Sequence, residues 1–391
     1  MRLTLAVIFA FMTLSGMAEG REIVNLNRDW RFKFGPSEPT VTREQTSDWQ
    51  RIDVPHDFQI EQPWVAPDAS ERPDNSDAGA NIKSRLSARG FKEMGEGWYV
   101  KTITPSVEKK GRRVLLDFQG IMYVADVYLN GKRIGGTDYG YVGFEIDITK
   151  DLRYGEDNII AVRCDTGNPK ASRWYTGGGL FRDVTLIYTD PQMYFLRHPL
   201  YITTKDNKEV SVTANVQCRT KQSSVKMRLT IIAPDGTVVS DEEHDLKRNR
   251  NYSQGQELQF PAVTLTDAKL WDCEHPNLYT AKVTLYKEDG SVADETQSRF
   301  GVRTIELGPD YGLKLNGKKV LLKGYANHHT LGALGAAAYP RAIEKRIRLM
   351  KEWGMNHIRT SHNPYSESFL DLCDELGILI VDELYDKWND Q

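Results

Sequence analysis

The chain has 391 residues, a formal net charge of −3 and a charged fraction of 27%. That near balance lacks the basic surplus by which proteins hold nucleic acid or anionic membranes, and the length suits two to four domains. Aromatic residues make up 10%, with 8 Trp and 18 Tyr, a usage that suits strands and also suits stacking on the flat apolar faces of sugars.

Residues 1–18 (MRLTLAVIFAFMTLSGMA) combine Arg2, an apolar run from Leu3 to Leu14, and small residues at Gly16 and Ala18. This is the pattern of a signal peptide and is too short for a comfortable bilayer span. Export to a periplasm or out of the cell is therefore expected. No later stretch is apolar enough to form a membrane span. The four cysteines, Cys164, Cys218, Cys273 and Cys373, fit no zinc spacing. Four buried free thiols are expected, with a Cys218–Cys273 bridge as the alternative for an exported chain.

Residues 21–190 read as one β-sandwich or jelly roll. Alternating runs recur at Val114 to Phe118, Ala125 to Leu129, Asn158 to Arg163 and Val184 to Tyr188. Asn130-Gly131, between Leu129 and Lys132, is a strong hairpin signal. Residues 65–92 break the pattern with a polar stretch rich in Asp, Ser, Ala and Arg, expected to be a long surface loop. Residues 191–305 read as a smaller sandwich of immunoglobulin type. Its runs lie at Val210 to Val216, Val225 to Ile232 and Tyr279 to Tyr286. No charged, His or Cys cluster falls in it, so a spacer is expected.

From residue 306 the period changes. A hairpin around Asn316-Gly317 precedes an apolar run from Val320 to Tyr325, which leads into His328 and His329. A helix follows, with Pro340 at its start and Gly354 past its end, and Ile343, Ile347, Met350 and Trp353 at helical spacing. A strand ends at Ile358. A second helix shows Phe369, Leu372, Cys373 and Leu376 on one face and stops at Gly377, and a third strand runs to Val381. Short links between these elements imply parallel right-handed crossovers. Three βα units fall short of the eight that close a TIM barrel, so residues 306–391 are expected to be a truncated barrel.

Polar residues cluster just past the second and third strands: Arg359, Ser361, His362 and Asn363, then Asp382 and Glu383. That is the carboxyl face, where α/β barrels hold ligands. Five separated motifs in this chain resemble those of glycoside hydrolase family 2, whose members are β-galactosidases, β-glucuronidases and β-mannosidases. They are Val54-Pro55-His56-Asp57, Gly97-Trp98-Tyr99, RWYTGGGLFRDV at 173–184, KGYANHHTLGALGAAA at 323–338, and the barrel signature at 356–381. Asn363 departs from the usual Tyr of that signature. The LGALGAA loop at 331–337 and the RWYTGGG form lean toward the galactosidases.

The resemblance implies a sugar-binding type of jelly roll, an immunoglobulin-like sandwich and a barrel. It implies a retaining β-glycosidase with no cofactor and a β-linked carbohydrate as substrate. The family's acid/base glutamate follows the fourth barrel strand and its nucleophile the seventh, so both are expected after Gln391 and this chain alone is expected to be inactive. Asp382 and Glu383 are adjacent on a strand, so their side chains leave on opposite faces and cannot form the pair. His328 and His362 match histidines that hydrogen-bond sugar hydroxyls. Arg359 matches an arginine beside the nucleophile; its alternative is an ion pair with an acid such as Asp382. Arg173 and Asp57 are further candidate contacts, with turn formation or capping as the alternative for Asp57, and Trp174 is expected to pack at the domain interface. His329, His357 and Glu383 are expected to be structural. A magnesium site known in some members is not expected, because residues 384–391 offer Asp386 but no Glu or His. The alternatives are a β-glucuronidase or β-mannosidase, a non-catalytic carbohydrate-binding protein, and an inert gene product; monomer and homo-oligomer both stay open.

Overall fold

A computed structural model describes residues 20–66, 90–167, 174–249 and 255–385. The signal-peptide run, most of the 65–92 loop, Arg173 and Asp386 lie outside the described residues. Three architectural layers follow one another along the chain.

The first is an antiparallel sandwich. One sheet has six strands in the order Gln50–Ile52, Trp30–Phe34, Glu96–Ile103, Asn158–Asp165, Val124–Leu129 and Lys132–Thr137. The facing sheet has four, in the order Glu22–Asn25, Val184–Thr189, Arg113–Phe118 and Phe144–Asp147. Period-two alternation sends Ala125, Val127 and Leu129 inward. Trp30, Phe32, Phe58, Tyr99 and Phe118 fill the space between the sheets. The Asn130-Gly131 turn has φ of 52° and 81° at its two residues, the left-handed pair that matches strand twist in a two-residue hairpin.

The second layer pairs two further antiparallel sheets. Met193–Lys205, Glu209–Cys218 and Gln256–Gln259 form one, with Val263–Thr264 alongside; Val238–Lys247, Ser224–Ile232, Tyr279–Tyr286 and Val292–Phe300 form the other. Phe195, Val212, Leu229, Phe260 and Val283 are buried between them. All four cysteines are buried and free, so Cys218 and Cys273 are not bridged. Burial pushes the Cys164 and Cys373 thiols far above their ordinary value, which leaves them inert.

The third layer is parallel. Strands β1 (Gly324–Asn327), β2 (His357–Thr360) and β3 (Leu379–Val381) lie side by side in that order. Helix α1 (Pro340–Glu352) and helix α2 (Glu367–Leu376) cross over between them. Proline at the first position starts α1, and Ile343, Ile347 and Met350 form its buried stripe. Ser366 caps α2 by accepting from Phe369 N at 3.3 Å, and Gly377 ends it at φ 72°.

Two expectations need correction. Only the end of the run from Val320 enters the barrel strand: Val320 N bonds back to Leu313 O at 2.9 Å, Leu321 is left exposed and β1 begins at Gly324, so the apolar stretch is split between two sheets. Trp353 does not share the buried stripe. It is the residue at which α1 ends, and it stands 78% exposed. Eight strands close a TIM barrel, and the described residues supply three. No described helix is long and apolar enough to cross a membrane.

Candidate active site

The carboxyl ends of β1, β2 and β3 deliver His328, then Ser361-His362-Asn363, then Asp382-Glu383 to one edge of the parallel sheet. Thr360 is fully buried at the end of β2 and sets the exit of β3. Its hydroxyl donates to Asp382 Oδ1 at 2.6 Å and accepts from Glu383 N at 2.9 Å. Glu383 then turns back over β2. One carboxylate oxygen meets His362 Nδ1 at 2.7 Å, and the other receives Arg359 Nε. Burial alone would raise this carboxyl; the hydrogen bonds from Arg359 and His362 outweigh it and hold Glu383 below the ordinary range.

Trp174 comes in from the first sandwich and packs against both histidines. Its ring centroid lies 5.1 Å from that of His362 and 5.5 Å from that of His328, and the two imidazoles are 5.6 Å apart at 77°. The indole is fixed by Nε1 donating to the Tyr141 hydroxyl at 3.2 Å. Arg346 on α1 braces the β1 exit, donating to Asn327 Oδ1 at 3.1 Å and His328 O at 3.2 Å. The result is a wall of two imidazoles and an indole, with an arginine–glutamate pair beside it. Such a surface can stack a sugar face and exchange hydrogen bonds with its hydroxyls.

A polar latch holds the sandwich to this edge. Asp57 is buried, and its carboxylate accepts from Gln59 N, Gly178 N, Ala336 N and the Tyr175 hydroxyl at 3.0, 2.9, 2.7 and 2.8 Å. Burial pushes this carboxyl up, and the four donors pull it back. Arg182 is buried and donates to Tyr141 O at 2.7 Å and to Pro364 O at 2.8 Å. His329 Nε2 donates to Thr176 O at 3.2 Å. Burial, with the Arg182 cation nearby, pushes His329 down to about 3, so it is neutral. Tyr139 adds a hydroxyl bond to Leu384 O at 2.9 Å.

Of the residues named from sequence, the structure brings His328, His362 and Arg359 to one edge. Asp57 is engaged in the latch instead, with both oxygens committed to protein donors, and Arg173 lies outside the described residues. The Arg359 ion pair is made with Glu383, not Asp382: β2 and β3 pair Arg359 with Val381, which carries Asp382 to the Thr360 side and Glu383 to the arginine side. Sequence reasoning missed Glu383 as a partner of both His362 and Arg359, and it took Trp174 for packing alone. The signal for Glu383 was its place two residues past the register partner of Arg359. Asn363 is buried, and neither amide atom has a hydrogen-bond partner among the described residues.

Residues 88–214 match the glycosyl hydrolase 2 galactose-binding domain-like model, 195–303 the glycosyl hydrolases family 2 model, and 309–386 that family's TIM barrel domain model. A β-galactosidase of Bacteroides ovatus is 32% identical over 377 residues, which is 96% of this chain and 42% of the relative. A β-glucuronidase of Bacteroides fragilis is 30% identical over 383 residues, 93% of this chain and 50% of the relative. The crystal structure of a glycosyl hydrolase family 2 member from Bacteroides cellulosilyticus superposes with a TM-score of 0.81 at 32% identity, covering 94% of this chain and 47% of that one. This chain thus spans half or less of the length of each of these proteins. Three consecutive models of one family follow one another along residues 88–386, and the chain belongs to glycoside hydrolase family 2.

Proposed function

We propose that this edge is part of the sugar-binding subsite of a retaining β-glycosidase that removes terminal β-linked sugars, β-galactosides first. The observation that carries the reading is the convergence of Trp174, His328 and His362 at the carboxyl edge of a family 2 barrel sheet. His328 and His362 hydrogen-bond sugar hydroxyls, and Trp174 stacks on the ring. Retention requires two carboxyls roughly 5–5.5 Å apart. One protonates the glycosidic oxygen while the other attacks the anomeric carbon; water then cleaves the glycosyl–enzyme bond. Glu383 is bound to Arg359 and His362, and Asp382 to Thr360, so neither acts as the pair. Both catalytic glutamates come from barrel strands outside these 391 residues. The unpartnered Asn363 amide faces the same need for further polar partners. A β-glucuronidase is the second reading, supported by the half-exposed Arg359 guanidinium, a cation suited to a sugar carboxylate. The amino-terminal apolar run supports export.

The test uses the 391-residue chain with 4-nitrophenyl β-D-galactoside and β-D-glucuronide. No nitrophenol is expected, whereas millimolar galactose should change the tryptophan fluorescence, and H362A or W174F should abolish that change. Turnover by this chain would overturn the placement of the catalytic carboxylates. A fluorescence signal unmoved by either sugar would overturn the subsite.

A further inference from the structure

On the first sandwich, a second cleft shares no residue with the histidine site. It is an open groove of about 670 Å³ on the outer side of the six-stranded sheet, walled by the segment 43–51. That volume falls within the range of roughly 300–1,000 Å³ typical of ligand sites. Its lining holds four cations, Arg31, Arg43, Arg51 and Lys101, against two acids, Asp29 and Glu44.

The arrangement of these cations is the informative part. Arg31 and Arg51 are direct cross-strand partners in the antiparallel pairing of Trp30–Phe34 with Gln50–Ile52. Like charges directly opposite one another destabilise a sheet. Only one of the two is neutralised: Arg51 Nε donates to Asp29 Oδ1 at 2.8 Å. Among the described residues, the single hydrogen bond of Arg31 runs to the Trp49 carbonyl at 3.4 Å, and no carboxylate reaches it. Lys101 likewise donates to a carbonyl, Arg28 O, at 2.6 Å. Burial pushes its ammonium below the ordinary range, against the opposing pull of the Asp29 and Asp53 carboxylates nearby. Arg43 reaches Asp157 only at 3.9 Å. Between these charges the lining includes hydroxyls, Thr102 on the sheet and Thr104 just past the strand's end, the latter donating to Asp157 Oδ1 at 2.6 Å.

We propose that this groove is a second carbohydrate site, for an acidic oligosaccharide bearing carboxylate or sulfate groups. A planar guanidinium fork suits either anion, and bringing one to Arg31, directly opposite Arg51, relieves the repulsion across that strand pair. The threonine hydroxyls suit the neutral positions of the sugar. The site tethers an anionic polymer to the sandwich, and it holds whichever sugar the barrel edge prefers.

Calorimetric titration of the full chain with trigalacturonate, a neutral galactotriose and inorganic phosphate tests it. Trigalacturonate should bind, and galactotriose should bind at least about tenfold more weakly. R31Q and R43Q should each weaken trigalacturonate by about tenfold, the size of one lost charge-assisted contact. Arg43 is mostly exposed, so R43Q keeps the test valid if R31Q fails to fold. Binding undiminished in R43Q, equal binding of the neutral sugar, or full displacement by equimolar phosphate would each overturn the assignment, as would no trigalacturonate binding at all.

Discussion

Between residues 193 and 300 two sheets close on each other, and Phe195, Val212, Leu229, Phe260 and Val283 are all buried. In the parallel layer that follows, Leu321, Leu349, Trp353 and Val381 stand 48–78% exposed. Both regions are rich in apolar side chains. The difference lies in how strands find partners. An antiparallel strand brings its neighbour through a short turn, so a sandwich of about a hundred residues covers its own core. A parallel strand needs a crossover helix, and each helix–strand unit leaves apolar surface for the next unit to cover. The middle sandwich thus closes its main core by itself, and meets the parallel layer through a smaller cluster in which Trp271 and Cys273 pack with Leu315 and Leu379. The parallel layer borrows its order from α1, α2 and the polar latch to the first sandwich.

The largest expected effect would break the region that closes its own core. Phe195→Ala should remove about 3–5 kcal/mol from the unfolding free energy of the middle sandwich in urea; a loss under about 1 kcal/mol would show that its core is not closed. Next comes the latch. His329 is held near 3 in the fold, against an ordinary value of 6.5. Its contribution is therefore fully present above pH 6.5 and lost as pH falls from 6.5 toward 3, because the unfolded chain takes up the proton first. The slope should reach about 1.4 kcal/mol per pH unit, and His329→Gln should flatten it. Parallel slopes for the two proteins would deny His329 that role.

A smaller effect is expected at the site. Glu383→Gln leaves Arg359 and His362 without their anion and should cost about 1 kcal/mol at neutral pH. Since Glu383 titrates below its ordinary range, the gap between the two proteins should persist at pH 5 and shrink as pH falls through the folded value. Thermal melts across that series measure it. The smallest effect sharpens the comparison from the open side. Leu349→Gln with Trp353→Gln should change stability by no more than about 0.5 kcal/mol while lowering self-association in light scattering. A loss of several kcal/mol would mean that this face is already covered.

Much of the architecture was legible because alternation and capping are local. Tyr279–Tyr286 shows its strand in its own sequence, and Pro340, Ser366 and Gly377 mark helix ends by chemistry alone. The run from Val320 misled because apolar character says that a residue is buried, not against which sheet. The site was half legible. His328 and His362 follow strand ends, so their common edge could be inferred. The Glu383 contacts depend on the register of β2 and β3, a pairing of residues 22 apart that no local pattern encodes. Asp57 looked like a ligand contact because an isolated carboxylate does; its four donors come from three separate stretches of chain, and only the fold assembles them.

The latch has a bearing on how the protein is made. Asp57 waits for Ala336, 279 residues downstream, and Arg182 waits for Pro364, 182 residues downstream. During synthesis the sandwich is finished long before these partners leave the ribosome. Until then its future interface presents a carboxylate, a guanidinium and a backbone carbonyl at Thr176, all of which water can satisfy, beside the rings of Tyr141 and Phe181 that later meet Ala336 and His329. An apolar interface of the same size would have left the half-made chain sticky. Polar groups among the aromatic ones make the half-made face less sticky.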